Sequence, residues 1–206
     1  LAAFSDVKTV RDIFSHKVFP WAYVELDPAF KLKPNIENAK RILLSHGINL
    51  SDKPIVGINL RTLKKDVRDK IIKACSNAFR QYRAQYVFIP FGFGSSTERF
   101  FDDDRIIADE LSKYVEMAII QDEVKPSSIL CMFKYFDLFI GMRYHSIIFS
   151  IIMNVPFVAL TYDTKVSELL RTCKKVQKNF REIPLYKLDS NKLLESIKTL
   201  SRISTS

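Results

Sequence analysis

Three basic side chains carry the chemistry this sequence is best equipped for. Arg61 closes the apolar run 55–60, and Arg143 and His145 lie in Gly141-Met142-Arg143-Tyr144-His145, directly ahead of the apolar stretch Ser146 to Met153. Arginine presents a planar fork of donors that matches a carboxylate or a phosphate in bidentate fashion. A helix opening after His145 would add N–H groups that no intrahelical carbonyl uses, and Gly141 would let a ligand approach the backbone closely. Together these features suit a small dianion or trianion. The plainer alternative is that Arg143 and His145 only cap and solvate a strand-to-helix turn, and that Arg61 is an ordinary surface arginine. Tyr162-Asp163-Thr164-Lys165 should share the same rim, with Lys165 placed to hold a phosphate oxygen. Asp163 is expected to cap the next helix rather than to orient a basic group.

Other chemical motifs are incomplete. Phe91-Gly92-Phe93-Gly94 begins like a dinucleotide fingerprint, but its sixth position is Thr97 rather than glycine. No Walker loop, zinc-spaced Cys/His set or Gly-x-Ser-x-Gly elbow is present. Asp102-Asp103-Asp104 reads as a carboxylate cap at a helix N-terminus, favoured by the helix dipole, in preference to a metal site. No metal and no cofactor are therefore expected. Cys75, Cys131 and Cys173 are odd in number and fall in helical patterns, which points to reduced structural thiols and a cytoplasmic location. His16 and His46 have no partner pattern and read as surface residues.

Composition narrows the class. With 206 residues, 47% hydrophobic and 27% charged, the chain can bury a core and is neither a disordered polymer nor a disulfide miniprotein. The most apolar region, Ile129 to Leu160, is interrupted by Lys134, Asp137, Arg143 and His145, short of the roughly 20 apolar residues of a membrane span. Lysine and arginine outnumber aspartate and glutamate by 32 to 23, a net charge of +9, which favours anionic partners. The basic residues are scattered, and that argues against nucleic acid. Leu1 is not an initiator methionine and the opening residues lack the regions of a signal peptide, so the chain is expected to start inside a longer protein.

The elements that would position the candidate residues follow from hydrophobic periodicity. Apolar runs at Ile55–Leu60, Tyr86–Pro90, Met117–Ile120, Leu138–Ile140 and Val155–Leu160 read as five buried strands. Between and after them, helical spacing covers Val67–Tyr82, Ile106–Val115, Ile129–Phe136, Ser146–Met153, Lys165–Cys173 and Asn191–Ile203. Strands alternating with helices of this length pair in parallel through right-handed crossovers. The expected class is α/β, a doubly wound and mostly parallel sheet. With strand order 3-2-1-4-5, Arg61 and Arg143 end adjacent strands at the point where the order reverses, where such sheets bind ligands. Two short strands, Val7–Val10 and Ala22–Leu26, and a helix from Asn35 to His46 stopped by Gly47 precede this pattern. Residues 1–34 are accordingly expected to be a remnant of a preceding N-terminal domain, and residues 35–206 a C-terminal Rossmann-like donor-binding domain.

The stretch Gly141-Met142-Arg143-Tyr144-His145-Ser146-Ile147-Ile148-Phe149, followed by Val155 to Lys165, resembles the signature of the polysaccharide pyruvyl transferase family. Val10-Arg11-Asp12 with Ser15, Asp27-Pro28-Ala29-Phe30, the strand ending in Arg61, and Ile89-Pro90-Phe91 ahead of Asp104-Arg105 extend the likeness over about residues 7–170. Tyr144 stands where the family usually has leucine, and Thr164 where proline is common. The resemblance implies the C-terminal domain of a GT-B type glycosyltransferase, with the active site between two domains. It also implies pyruvate transfer from phosphoenolpyruvate, as co-substrate, to a sugar, usually as a cyclic ketal. Carried over by position, Arg61, Arg143 and His145 would bind the donor.

The implied chemistry is addition and elimination. Protonation of the methylene carbon makes its neighbour electrophilic, a sugar hydroxyl adds, phosphate leaves, and a second hydroxyl closes the ketal. His145 is the candidate for proton transfer, since imidazole titrates near neutrality; hydrogen bonding to phosphate is its other role. The acceptor would be a free or lipid-linked saccharide, the latter bringing peripheral membrane contact. Two rival readings stand beside this one. One is a nucleotide-sugar glycosyltransferase with Glu168 on the ribose and Arg143 on the pyrophosphate. The other is a non-catalytic anion-binding module.

Overall fold

The computed structural model describes residues 29, 32, 36–51, 53–94, 103–121, 123–174 and 179–204, the last three as backbone only. The two expected strands before residue 29 lie outside this set, as do Asp102, Thr97 and His16.

Six parallel strands form one sheet in the order β3-β2-β1-β4-β5-β6. They are β1 (Ile55–Asn59), β2 (Gln85–Phe88), β3 (Ala118–Ile119), β4 (Leu138–Gly141), β5 (Phe157–Thr161) and β6 (Phe180–Pro184). The helices are α1 (Ile36–Ser45), α2 (Lys65–Gln81), α3 (Arg105–Ser112), α4 (Pro126–Met132), α5 (Tyr144–Ile152), α6 (Thr164–Cys173) and α7 (Ser190–Ser204). The reversal of strand order between β1 and β4 stands where the sequence pattern puts it. β6 is an addition to the five expected strands. Phe180 and Ile183 are buried, Arg181 is exposed and Glu182 half-buried, so this strand at the sheet edge lacks the continuous apolar run that marks a central one.

Side chains alternate across the sheet, so each central strand serves two cores. Val56, Ile58, Leu138, Ile140, Val158 and Leu160 face α2, α3 and α7 in a largely aliphatic cluster. Ile55, Val87, Phe139, Phe157 and Ala159 face α1, α4, α5 and α6. That second side is aromatic: Phe133 stacks on Phe139 at 4.4 Å and meets Phe149 edge-on at 5.7 Å. Gly57 makes room for it, because a Cβ there would stand 2.5 Å from Phe139. Ala39, Leu43 and Ile48 join this cluster, so α1 belongs to the same core as the sheet. Gly47 ends α1 with a positive φ of 77° that a side chain would strain.

The three cysteines are buried thiols on α2, α4 and α6. Burial pushes the Cys75 thiol up to about 12 and Cys173 up to about 11, keeping both protonated at neutral pH. No helix among the described residues is long and apolar enough to cross a membrane.

Candidate functional site

The C-terminal ends of β1, β4 and β5 bring the candidate residues to one rim. In the β1–β4 register Asn59 lies opposite Gly141, so Arg61 and Arg143 each follow that pair by two residues. The two segments are joined: the Arg61 amide meets the Met142 sulfur at 3.5 Å, and the Met142 amide donates to the Asn59 carbonyl at 3.0 Å.

Arg143 is held from beneath by a carboxylate. Its Nη2 donates to Asp104 Oδ1 at 2.7 Å, and its Nε lies 3.1 and 3.2 Å from the two Asp104 oxygens. The Asp104 side chain is fully buried and that of Arg143 is 18% exposed. Asn59 Nδ2 and the amides of Phe91 and Gly92 each reach Asp104 Oδ2 at 3.0 Å. Asn59 completes the link by donating to the Ile89 carbonyl at 3.1 Å and accepting the Arg143 amide at 3.1 Å. A buried polar hub thus ties together the ends of β1, β2 and β4 and the start of α3. Burial raises the Asp104 pKa above the ordinary value, against the opposing pull of Arg143 and the N–H donors. Every hydrogen-bond partner named here is a donor, which favours the ionised, acceptor-only carboxylate.

This corrects the reading of Asp104 as a helix cap. It occupies the N-cap position of α3, but its side chain makes no capping bond and points into the hub. Asp103 serves locally instead, accepting the Arg105 amide at 3.0 Å and pairing with the Arg105 guanidinium at 2.6 Å. That pairing lowers the Asp103 carboxyl pKa. Asn59 was not a candidate in the sequence, and Asp104 entered only as part of a helix cap and of the family likeness. The available signal was an asparagine closing an otherwise apolar strand, and a row of aspartates cannot show which one is buried.

Arg61 is anchored differently. Its Nη1 donates to the Tyr162 hydroxyl at 2.7 Å, and its guanidinium carbon lies 5.5 Å from the centre of the same ring. Tyr162 follows β5, so Arg61 bridges the ends of β1 and β5 across β4. Asp163 caps α6 as expected, accepting the Val166 amide at 3.3 Å. Lys165 stands exposed in the first turn of α6.

α5 begins at Tyr144, two residues earlier than its apolar run, which puts His145 inside the first turn rather than ahead of the helix. His145 is exposed, while Arg143 turns inward to Asp104. Ser146 closes the turn, donating to the Arg143 carbonyl at 2.7 Å. Gly141 is required by packing: a Cβ there would lie 2.7 Å from Ser146 Oγ and 2.9 Å from Ile147 Cδ1.

An open, doubly wound parallel sheet with arginines beyond the strand ends at its switch point defines a Rossmann-like domain. The family model for polysaccharide pyruvyl transferase matches residues 2–164, most of the chain, and the protein belongs to that family. No curated protein matches it. Among solved structures, the ADP-heptose LPS heptosyltransferase II of E. coli superimposes with a TM-score of 0.62 at 10% identity, covering 84% of this chain and 54% of that one. The UDP-GlcNAc 2-epimerase of Methanocaldococcus jannaschii, in complex with UDP-GlcNAc and UDP, gives 0.56 at 14% identity, over 81% of this chain and 44% of that one. A family 9 glycosyl transferase from Veillonella parvula gives 0.51 at 13% identity, over 88% and 54%. The fold is therefore that of one domain of GT-B glycosyltransferases and epimerases. The chain spans about half the length of these structures.

Proposed function

We propose that this chain is the donor-binding half of an enzyme that transfers pyruvate from phosphoenolpyruvate to a saccharide, forming a ketal. The observation that carries the reading is the pair of arginines at the ends of β1 and β4, within a match to the pyruvyl transferase family. Phosphoenolpyruvate carries a carboxylate and a phosphate on one small frame, and two guanidinium groups on adjacent strand ends suit such an ion. Arg61 and Arg143 would each take one anionic group, and Lys165, at the start of α6, would meet a phosphate oxygen at the outer side of the rim.

His145 is exposed on the same rim and would deliver the proton to the methylene carbon. The sugar hydroxyl then adds to the neighbouring carbon, the phosphate departs with the C–O bond electrons, and the second hydroxyl closes the ketal as its own proton leaves. Residues 35–206 would thus form one wall of a two-domain cleft, and the saccharide would be gripped from the facing wall. A cleft is needed because donor and acceptor must be aligned and water kept out.

Calorimetry with phosphoenolpyruvate on the wild type, Arg61→Lys and Arg143→Lys, at two salt concentrations, tests the assignment. Each variant should bind more weakly, by about 2 to 5 kcal/mol where the charge is desolvated and by much less where it is solvated. Equal binding by all three proteins would remove the assignment. The structural neighbours named for ADP-heptose and UDP-GlcNAc favour a second reading, a nucleotide-sugar donor. Tighter competition by UDP-GlcNAc than by phosphoenolpyruvate would establish it instead.

A further inference from the structure

The Asp104 hub holds more polar contacts than a helix start needs. Five N–H groups from Arg143, Asn59, Phe91 and Gly92 converge on one carboxylate with no exposed surface. The Asp104 amide also returns a bond of 3.0 Å to the Gly92 carbonyl, so the turn after β2 is clamped from both sides. A buried carboxylate is costly unless its lone pairs are filled, and here they are filled by groups that border the candidate site. The grip on Arg143 is also specific in direction. It engages the Nε–Nη2 edge, which fixes the plane of the guanidinium as well as its location.

We propose that Asp104 is a positioning residue of the donor site, holding the Nε–Nη2 edge of Arg143 so that an incoming phosphate or carboxylate meets the guanidinium in one orientation. The inference rests on the donor reading above for the identity of the anion, and on the geometry of the hub for the role of Asp104. Asn59 supports the same arrangement from the backbone side, since its side chain bonds both Asp104 and the Arg143 amide. An asparagine in place of Asp104 would offer one acceptor oxygen and turn its own N–H groups toward donors, loosening Arg143 without changing side-chain volume. A glutamate would keep the charge and both oxygens.

The test combines nitrogen-15 NMR of arginine Nε–H groups with calorimetry on the full chain, in the wild type, Asp104→Asn, Asp104→Glu, Arg143→Gln and the Asp104→Asn/Arg143→Gln double variant. The Arg143 signal is identified by its disappearance in Arg143→Gln. It should exchange slowly in the wild type, broaden away in Asp104→Asn and return in Asp104→Glu. Phosphoenolpyruvate affinity should fall about tenfold in Asp104→Asn and recover in part in Asp104→Glu. Adding Asp104→Asn to Arg143→Gln should change affinity less than about twofold, because a residue acting through another has no effect once that other is gone.

An unchanged Arg143 signal in Asp104→Asn overturns the proposal, and so do losses that multiply in the double variant. If Asp104→Asn does not fold, Asp104→Ser takes its place: a folded variant with wild-type exchange of the Arg143 signal overturns the proposal, and faster exchange with weaker binding upholds it. UDP-GlcNAc is the second probe. If it binds in place of phosphoenolpyruvate and shows the same dependence on Asp104, the pyruvyl-donor reading falls while the positioning role stands. If neither anion binds the wild type, both fall.

Discussion

Arg143 and Arg61 leave adjacent strands two residues beyond the same register pair, yet their anchors are chemically opposite. Arg143 meets a fully buried carboxylate, and Arg61 meets the neutral hydroxyl and the ring of a half-buried tyrosine. The difference divides the rim into a β4 side held rigidly by a buried, charge-assisted network and a β5 side where a hydroxyl and a ring meet the guanidinium. A bidentate, charge-assisted bond fixes the plane of a guanidinium more firmly than a bond to a neutral hydroxyl.

The sharpest way to break that contrast is to remove each charge in turn. Arg143→Met leaves the Asp104 carboxylate buried without its cation and should cost about 3 to 5 kcal/mol of stability in urea unfolding. Arg61→Met removes the bond to the neutral Tyr162 hydroxyl, a contact of about 0.5 to 1.5 kcal/mol, and should cost less than Arg143→Met. Comparable losses in the two variants would show that the anchors do not differ as described.

Acid should sharpen the same comparison. The native Asp104 carboxyl holds its proton more tightly than an ordinary one, so the stability it lends is present at low pH and lost as pH rises through the native pKa. Without Arg143 that pKa rises further, and the penalty at neutrality grows. The deficit of Arg143→Met relative to wild type should therefore shrink as pH falls from about 7 toward 4. A constant Arg143→Met deficit across thermal melts in that range would contradict a charged Asp104 at neutral pH.

Smaller effects belong to the β5 side. Asp163→Ala removes the cap of α6 and should cost about 1 kcal/mol, read as a lower urea midpoint. Tyr162→Phe deletes the 2.7 Å bond to Arg61 but keeps the ring beneath the guanidinium, and should cost about 0.5 to 1 kcal/mol. A loss from Tyr162→Phe as large as that from Arg143→Met would mean that the β5 side is the rigid one.

The central strands and their order were legible because buried parallel strands carry continuous apolar runs, as in Ile55–Leu60 and Leu138–Ile140, and because helices of known length separate them. From that order the convergence of Arg61 and Arg143 follows by topology alone. The edge strand β6 was not legible, since Arg181 and Glu182 leave it no apolar run. Asp163 could be assigned as a cap because capping acts over three residues along the chain.

The partners of the arginines were beyond local reading. Asp104 lies 39 residues from Arg143, and Tyr162 lies 101 residues from Arg61. Nothing in Asp102-Asp103-Asp104 distinguishes the aspartate that is buried from the one that pairs with Arg105. By itself the sequence determined which residues reach the rim, through hydrophobic periodicity and the handedness of crossovers. Only the tertiary structure decided which of them are held and by what. Burial and donor geometry arise when separate strand ends are packed against one another, and neither is a property of any segment alone.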